Sequence, residues 1–299
     1  MKKLAFVALS VLVAGGALAA PDWSKVPQRK MTLFYPGQSS LEWMMNKADH
    51  SAVPDMVEKK RTCAKCHEGD ANQIGDKIVA GKPVGISKTV LEPTPPAGKA
   101  GFIPVMFQAA HDGRKIYFRF EWASPTAGGN KPDPKNEVKL ALMFDGGGTV
   151  AGTEINGCWA TCHTDLRTMK DARNDKTTKY VKGADLASGK FMDLIQYRSG
   201  EKRPADGYVA EARYMEGGKA LLKAEGKKDG NKWIVTFERT LAGGGKGDHA
   251  ITADKVYNFG FSIHENHSDA RFHYVSLGYQ FGLDKPNPDV KSYIDVQKQ

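Results

Sequence analysis

Apolar and polar positions alternate along much of the chain after residue 100, and this alternation predicts β-strands. In FIPVMFQAAHDGRKIYFRFEW (102–122) an apolar segment is followed by Asp112-Gly113 and then by a period-two alternation. An Asp-Gly pair between two such segments is typical of a tight hairpin turn. Further short apolar segments follow at 137–145 and between 212 and 283, separated by Gly, Asn and Asp. Because short strands joined by turn residues favour stacked antiparallel sheets, we predict a mainly β fold, specifically a β-sandwich.

The segment before residue 98 has a different pattern, with few alternating apolar positions. SSLEWMMNKADHSA offers Ser39 or Ser40 as the N-cap of a helix that carries Met44 and Met45 on one side. VEKKRTCAKCHEGD (57–70) predicts a second short helix. We therefore expect this part of the chain to be a small helical unit with some α content.

Prolines and glycine between residues 93 and 98 indicate a linker between two domains. The prediction is an N-terminal helical domain over 20–98 and a β-sandwich domain over 99–299. A polar segment with helical character interrupts the second domain at about 158–197.

The first nineteen residues have the pattern of an export signal. Lys2 and Lys3 precede a short apolar segment that ends in small residues at Ala19. Such a segment is too short for a membrane span and is typical of a Sec signal peptide at 1–19. We expect the mature chain to have no transmembrane span and to be located in the periplasm.

The number and distribution of basic residues do not indicate a nucleic acid partner. Removing Lys2 and Lys3 lowers the formal charge from +9 to +7. The remaining basic residues are scattered and are not interleaved with aromatic residues, so nucleic acid binding is not expected. The sequence also has no nucleophile–base triad, phosphate-binding loop or nucleotide fingerprint, so nothing in it indicates a catalytic residue.

The four cysteines form two local clusters, and each cluster is followed by a histidine. TCAKCHEGD contains Cys63, Cys66 and His67 in the C-x-x-C-H spacing of a c-type haem attachment site. The two thiols form thioethers with the porphyrin, and the adjacent histidine binds the iron. The alternatives are a redox-active dithiol and half of a zinc site. The sequence lacks the βαβ context of a thioredoxin-like dithiol, and it lacks a clear second cysteine pair for a zinc site.

The second cluster, GCWATCHTD, contains one extra residue between its cysteines. Cys158 and Cys162 are four positions apart, and His163 follows. On a helix, positions four apart share a face, so both thiols can meet one porphyrin edge. A disulfide between the two cysteines is the alternative, and it does not explain the histidine. We predict a second covalently attached haem c, which makes two in total.

Several segments of the chain resemble a known family. VMFQAAHDGRKIYFRFEW, GCWATCH, KWIVTFERTL and FGFSIHENHSDARFHYVSLGY are similar to the ethylbenzene dehydrogenase gamma-subunit type of haem-binding domain, over roughly residues 100 to 283. The resemblance implies a β-sandwich with haem near one end and an electron-transfer subunit of a molybdenum enzyme of the dimethyl sulfoxide reductase class. In the simple gamma subunits a Met and a Lys hold a b-type haem, whereas this chain has Cys158, Cys162 and His163, with His273 near the expected Lys.

The sixth ligand of each iron remains open to several candidates. For the first haem the nearest candidate is His50, with Met44, Met45 and Met56 as competitors. For the second haem, strand alternation turns His273 inward together with Val275 and Leu277. Met106, in the strand where the family has its Met ligand, is the alternative, and His264 and His267 could line a haem edge.

Together these patterns predict a dihaem cytochrome c of the respiratory chain that is not an enzyme. It would pass single electrons between a membrane quinol-oxidising component and a terminal molybdenum oxidoreductase of the nitrate reductase or dehydrogenase type. The alternative is a haem enzyme with an open axial position that reduces a small oxygenated substrate.

Overall fold

A computed structural model of the protein describes residues 20–51, 58–59, 62–125, 132–163 and 180–299, without the side chains of residues 41, 42, 154, 156, 158 and 160. The predicted signal peptide at 1–19 and the candidate Met56 lie outside the described residues. In the described part of the chain, no helix combines the length and the apolar character that crossing a membrane requires.

The described residues form mainly strands. The strands are β1 (Arg29–Phe34), β2 (Pro83–Val84), β3 (Thr89–Val90), β4 (Phe102–His111), β5 (Lys115–Ala123), β6 (Lys139–Phe144), β7 (Met192–Arg198), β8 (Ala205–Val209), β9 (Arg213–Tyr214), β10 (Leu221–Asp229), β11 (Lys232–Thr240), β12 (Tyr257–His264), β13 (Tyr274–Val275), β14 (Tyr279–Leu283) and β15 (Tyr293–Lys298). The helices are α1 (Leu41–Met44), α2 (Ala64–His67), α3 (Ala71–Val79), α4 (Thr153–Asn156) and α5 (Cys158–Cys162). The mainly β class predicted from the sequence is confirmed.

Thirteen of these strands belong to one sheet. Its order is β10-β11-β5-β4-β1-β13-β12-β6-β7-β8-β9, and β14 and β15 make a second connection between β12 and β4. The β4–β5 hairpin lies where the alternation predicts it, with Gly113 at a φ of 89° in the turn. The Asp112 carboxylate accepts hydrogen bonds from the main-chain amides of Arg114 and Lys115, which fixes the turn.

An aromatic core lies between strands β4 and β5 on one side and β12 on the other. The rings of Phe107 (β4) and Phe259 (β12) have centroids 5.5 Å apart, and those of Phe120 (β5) and Phe261 (β12) are 4.9 Å apart. All four side chains are at most 1% exposed. Burying an aromatic side chain of this size stabilises the fold by roughly 1.5–3 kcal/mol, so the packing of these four rings is a main source of stability.

The predicted separate helical haem domain over 20–98 is not shown by the structure. Residues 29–34 form β1, which pairs with β4 from Arg29↔Phe107 to Phe34↔Phe102 and lies inside the large sheet. Ala71, Ile78 and Leu91 belong to the same hydrophobic core as the sheet. The sequence missed β1 because a single short strand gives too few positions to establish alternation.

A buried polar contact also joins the two sides of the predicted linker. The Tyr35 hydroxyl donates a hydrogen bond of 2.5 Å to Glu92, and Arg271 forms an ion pair with the same carboxylate. Glu92 is fully buried. The hydrophobic core and this contact therefore both extend across residue 98.

The predicted helical insertion at about 158–197 is wrong in its second half. Residues 192–198 form β7, which pairs with β6 and β8. Residues 164–179 lie outside the described residues. The alternation of MDLIQYR is obscured because Met192, Asp193, Leu194 and Ile195 are all buried, so both faces of the strand are covered.

Candidate functional site

The first cysteine cluster lies on a single helical turn. The amides of Cys66 and His67 donate hydrogen bonds to the Cys63 carbonyl at 3.1 and 2.9 Å. Residues three and four positions apart on such a turn share one face. The turn therefore presents both thiols and the imidazole to the same space, as an attachment site for one porphyrin requires.

That space is a cavity of about 370 Å³. Its wall is predominantly apolar and comes from both the N-terminal segment and the sheet. The apolar lining residues include Phe34, Trp43, Met44, Met45, Ala71, Ile74, Ile78, Val84, Leu91, Ile155, Trp159 and Leu277. A concave, apolar site with a few convergent polar groups is typical of cofactor pockets, whose volumes are roughly 300–1,000 Å³.

His50 lies in the same cavity and faces His67. The centroids of the two imidazole rings are 6.2 Å apart, with the ring planes at 74°. Two metal–nitrogen bonds of about 2 Å each, with about 1 Å from each nitrogen to its ring centre, require a separation of about 6 Å. The sequence-predicted pair His67 and His50 therefore has the spacing of two ligands of one metal. Met44 and Met45 line the same cavity.

The protonation of these groups suits metal binding. His67 Nδ1 lies 3.0 Å from the Asp70 carboxylate, and donation of its N–H there leaves Nε2 as the free ligand atom. Burial, and to a lesser degree the neighbouring His67, lower the pKa of His50. Both effects favour the neutral form of the His50 ring, which is the form that binds metals.

The thiols do not resemble a redox-active pair. Burial raises the pKa of the Cys63 thiol to about 12, and burial also raises the pKa of Cys162. Reactive dithiols depend on a lowered pKa that gives a thiolate at neutral pH. Cys66 and Cys162 are not in disulfide bonds in the described part of the chain. These properties disfavour the dithiol interpretation and fit the attachment of a cofactor.

The second cluster lies on helix α5, which begins at Cys158 and ends at Cys162. The spacer between the two cysteines is therefore helical. A helical spacer is what allows two cysteines four positions apart to meet one porphyrin edge. Gly157 precedes the helix at a φ of 55°, and a Cβ there would lie 2.5 Å from the Phe259 carbonyl oxygen. Only glycine allows α5 to start this close to β12. The Cys158 side chain lies outside the described residues.

His163, directly after α5, is 4% exposed and lies beside His273. Their ring centroids are 5.6 Å apart, and His264 lies 4.9 Å from His273 on another side. The sequence predicted His163 and His273 for one iron, and the structure brings these two rings together. His273 precedes β13 instead of lying within a strand, so its position is set by the 265–273 loop and not by strand alternation.

Main-chain carbonyls orient the rings of this cluster. His163 Nδ1 lies 3.1 Å from the Ser39 carbonyl, and His273 Nδ1 lies 2.9 Å from the Ala270 carbonyl. Donation from Nδ1 makes Nε2 the candidate ligand atom of each ring. Burial holds the pKa of His273 well below its usual value and lowers the pKa of His264 to about 4, so both rings are neutral.

The two clusters are in contact through helices α4 and α5. The Cys63 amide donates a hydrogen bond of 2.9 Å to the Ile155 carbonyl. The Trp159 side chain lines the first cavity, and its ring lies 6.0 Å from that of His163. Sequence analysis did not single out Trp159; an apolar residue between two motif cysteines on a helix is the signal that could have indicated it.

The side chain of Met106, the alternative ligand, faces away from these groups. It is directly opposite Lys30 on β1 and Glu121 on β5. Its neighbours Val105 and Phe107 are buried in the core, and successive side chains of a strand point to opposite faces. Met106 therefore points to the outer face of the sheet. His267 contacts the Asp133 carbonyl and is exposed.

Comparison with known proteins identifies relatives of the chain. The model of the family described as ethylbenzene dehydrogenase matches residues 20–228. Cytochrome c-552 of Stutzerimonas stutzeri is 48% identical over 272 residues, which cover 90% of each chain. Cytochrome c-551 of Rhodocyclus tenuis is 31% identical over 268 residues, which cover 88% of this chain and 95% of the relative.

Likeness to solved structures is much weaker. A carbohydrate binding module of family 9 from Caldicellulosiruptor kristjanssonii aligns with 59% of this chain and 65% of its own, at a TM-score of 0.29 and 11% identity.

Proposed function

Because this chain belongs to the ethylbenzene dehydrogenase family and is a c-type cytochrome, we propose that it carries two covalently attached haem c groups and transfers single electrons. Haem c supplies a one-electron iron couple when it is bound. The rest of the proposal concerns what the residues of this chain do around that couple.

Cys63 and Cys66 would hold the first group by thioether bonds, and His67 and His50 would bind its iron. The support is the 6.2 Å separation of the two rings inside an apolar cavity. The Asp70 carboxylate fixes the His67 tautomer. The apolar wall restricts water, which favours small structural change when the charge at the iron changes.

Cys158 and Cys162 would hold the second group by thioether bonds, and His163 and His273 would bind its iron. The support is the 5.6 Å separation of these rings and the two main-chain carbonyls that accept their Nδ1–H groups. His264 contacts His273, and its Nε2 is bound to the Ala270 carbonyl. We therefore assign His264 to the support of His273 and not to the iron.

The observation that carries the functional proposal is that each cluster has a second imidazole at ligand distance from its own motif histidine. Two histidines at one iron leave no position for a substrate, which favours electron transfer over catalysis. The alternative is a haem enzyme with an open axial position that reduces a small oxygenated substrate.

We further propose a location and partners for this activity. The signal pattern at 1–19 supports export to the periplasm. The family resemblance supports electron transfer between a membrane quinol-oxidising component and a molybdenum oxidoreductase of the dimethyl sulfoxide reductase class, of the nitrate reductase or dehydrogenase type. The contact of the two clusters through Trp159 supports exchange of electrons between the haems within one molecule.

Carbon monoxide binding to the reduced holoprotein tests the proposal. We expect no rapid binding at either haem, because both axial positions are filled. His50→Ala serves as the positive control, and it should bind carbon monoxide at one haem. Rapid stoichiometric binding to the unmodified protein, or sustained turnover of nitrate, nitrite, sulfite or peroxide with an artificial donor alone, would favour the enzyme.

A further inference from the structure

Three carboxylates converge on one point beside strands β7 and β8. They belong to Asp193 on β7, Asp206 on β8 and Asp248 in the loop between β11 and β12. Asp206 is directly opposite Ile195, so it is a diagonal neighbour of Asp193 on the same face of the sheet. One carboxylate oxygen from each residue lies within 4.8 Å of the others.

One oxygen of each carboxylate is held by the protein. Asp193 Oδ2 accepts hydrogen bonds from the Arg239 guanidinium at 2.5 Å and from the His249 amide at 2.9 Å. Asp206 Oδ2 accepts from the Leu221 amide at 2.9 Å. These contacts orient the two carboxylate groups before anything binds to them.

Asp248 is oriented in the same way by the main chain around it. Its Oδ2 accepts hydrogen bonds from the Lys219 amide at 2.8 Å and from the Gly245 amide. Such hydrogen bonds to the outer oxygen are what metal-binding carboxylates usually have. All three groups are therefore preorganised by donors that lie outside the cluster.

The other oxygen of each carboxylate is buried and has no hydrogen-bond partner among the described residues. These atoms are Oδ1 of Asp193, of Asp206 and of Asp248. The Asp193 side chain is completely buried. A buried polar atom without a partner costs about 1–3 kcal/mol, and more when it is charged, so three together at one point require a compensating group.

The charges at this point strengthen the need for a compensating group. The fully buried Arg239 contributes one positive charge against three carboxylates. When the three carboxylates are ionised, the one guanidinium leaves a net charge of −2 at this point.

The main chain closes the cluster on one side. A Cβ built on Gly218 would lie 2.3 Å from Asp206 Oδ1 and 2.7 Å from Asp248 Oδ1. Both unpartnered oxygens thus face the same backbone position. Any side chain at residue 218 would displace them, so glycine keeps this space available.

We propose that Asp193, Asp206 and Asp248 bind one Ca²⁺ ion through their Oδ1 atoms. Carboxylate oxygens are the ligands of hard divalent cations, and Ca²⁺ binds them at about 2.3–2.6 Å. Two such bonds span at most about 5 Å, which agrees with the 4.8 Å within which one oxygen from each of the three carboxylates lies. The two positive charges of Ca²⁺ balance the net charge of −2 that remains after Arg239 neutralises one of the three carboxylates.

Calcium suits the site better than magnesium. Three carboxylates from two strands and a loop form an irregular set, and Ca²⁺ accepts 6–8 oxygens in flexible geometry, with water completing the shell. Mg²⁺ requires near-ideal octahedral geometry and keeps most of its water. The bound ion fastens the β11–β12 loop to β7 and β8, a structural role that does not depend on the haem proposal.

Calorimetric titration of the chelator-treated holoprotein with CaCl₂ tests the site. We expect one equivalent of Ca²⁺ to bind, a higher midpoint of thermal unfolding with Ca²⁺ than with EGTA, and weaker binding of MgCl₂. Absence of binding together with an unchanged midpoint would overturn the proposal. Tighter binding of Mg²⁺ than of Ca²⁺ would overturn the choice of ion.

Two matched variants locate the binding. Asp206→Asn should weaken Ca²⁺ binding at least tenfold and leave the haem absorption spectrum unchanged, because the site is separate from both histidine pairs. Asp254→Asn, an exposed aspartate in the same loop as Asp248, should bind Ca²⁺ as the unmodified protein does. Asp248→Asn provides a second test if Asp206→Asn does not fold. Unchanged affinity in the cluster variants would place the ion elsewhere and overturn the assignment.

Discussion

The main-chain amide of Cys63 donates a hydrogen bond of 2.9 Å to the carbonyl of Ile155, three residues before the second cysteine cluster. This contact brings together two motifs that lie more than ninety residues apart in the sequence. The same helices carry Trp159, whose side chain lines the first cavity and approaches His163. The two proposed haem sites are therefore neighbours in one folded unit. The effect of a substitution at one site can be compared with its effect at the other site in the same molecule.

Separate attachment of the two haems is tested by single cysteine substitutions. Cys162→Ala should leave the first haem covalently bound and loosen the second, because we propose that each cluster binds its own porphyrin. Cys66→Ala is the matched control and should have the reverse effect. Covalent haem in the denatured protein is the quantity to measure. Two fully covalent haems in Cys162→Ala would show that the extended motif is not an attachment site.

The distal ligand of the second haem is tested by His273→Ala. We expect one haem to become high-spin or reactive with carbon monoxide while the other stays low-spin, because the ring of His273 lies nearest to that of His163. His264→Ala is the control for a general disturbance of the cluster and should retain two low-spin haems. A spectrum unaffected by His273→Ala but altered by Met106→Ala would identify Met106 as the ligand.

Trp159 should contribute to both stability and haem environment. The side chain is 3% exposed and packs edge-on against Phe34 at 5.6 Å. Trp159→Ala should lower the free energy of unfolding by about 3–5 kcal/mol, the range for truncating a buried aromatic residue. It should also shift the reduction potentials of both haems, whereas Trp159→Phe should do so less. A shift at one haem alone would contradict a position between the two sites.

The polar contact across residue 98 should make unfolding cooperative. Tryptophan fluorescence and the absorption of each haem should report the same denaturation midpoint, since β1 and the core extend through the whole chain. Glu92→Gln should lower the free energy of unfolding by about 3 kcal/mol, near the lower end for breaking a buried ion pair, because the Arg271 side chain is 22% exposed. Two separated transitions would instead favour two independent domains.

The sequence predicted local features better than distant ones. The β4–β5 hairpin was predictable because its turn and its alternation lie within twenty residues, and Ser40 as N-cap of α1 is confirmed by its bond to the Trp43 amide. The position of β1 between β4 and β13 was not predictable, because both partners are distant in the chain. The alternation within a strand does not show which distant strand it pairs with.

The candidate sites also differ in how far the local sequence could predict them. Cys63, Cys66 and His67 could be predicted as an attachment site because the chemistry of attachment fixes their spacing. Strand alternation and the family resemblance together suggested His273 as the partner of His163, but the loop that positions His273 was not foreseen. Asp193, Asp206 and Asp248 had no signal at all, since residues on two strands and a loop meet only after the sheet has formed.

Mass spectrometry of the denatured mature protein tests the central claim most directly, because it counts the covalently attached haems and locates the signal cleavage in one measurement. We predict a mass that corresponds to the chain beginning after Ala19 with two haem groups added. A mass with only one haem group would contradict the account, since the second cysteine cluster would then have another role.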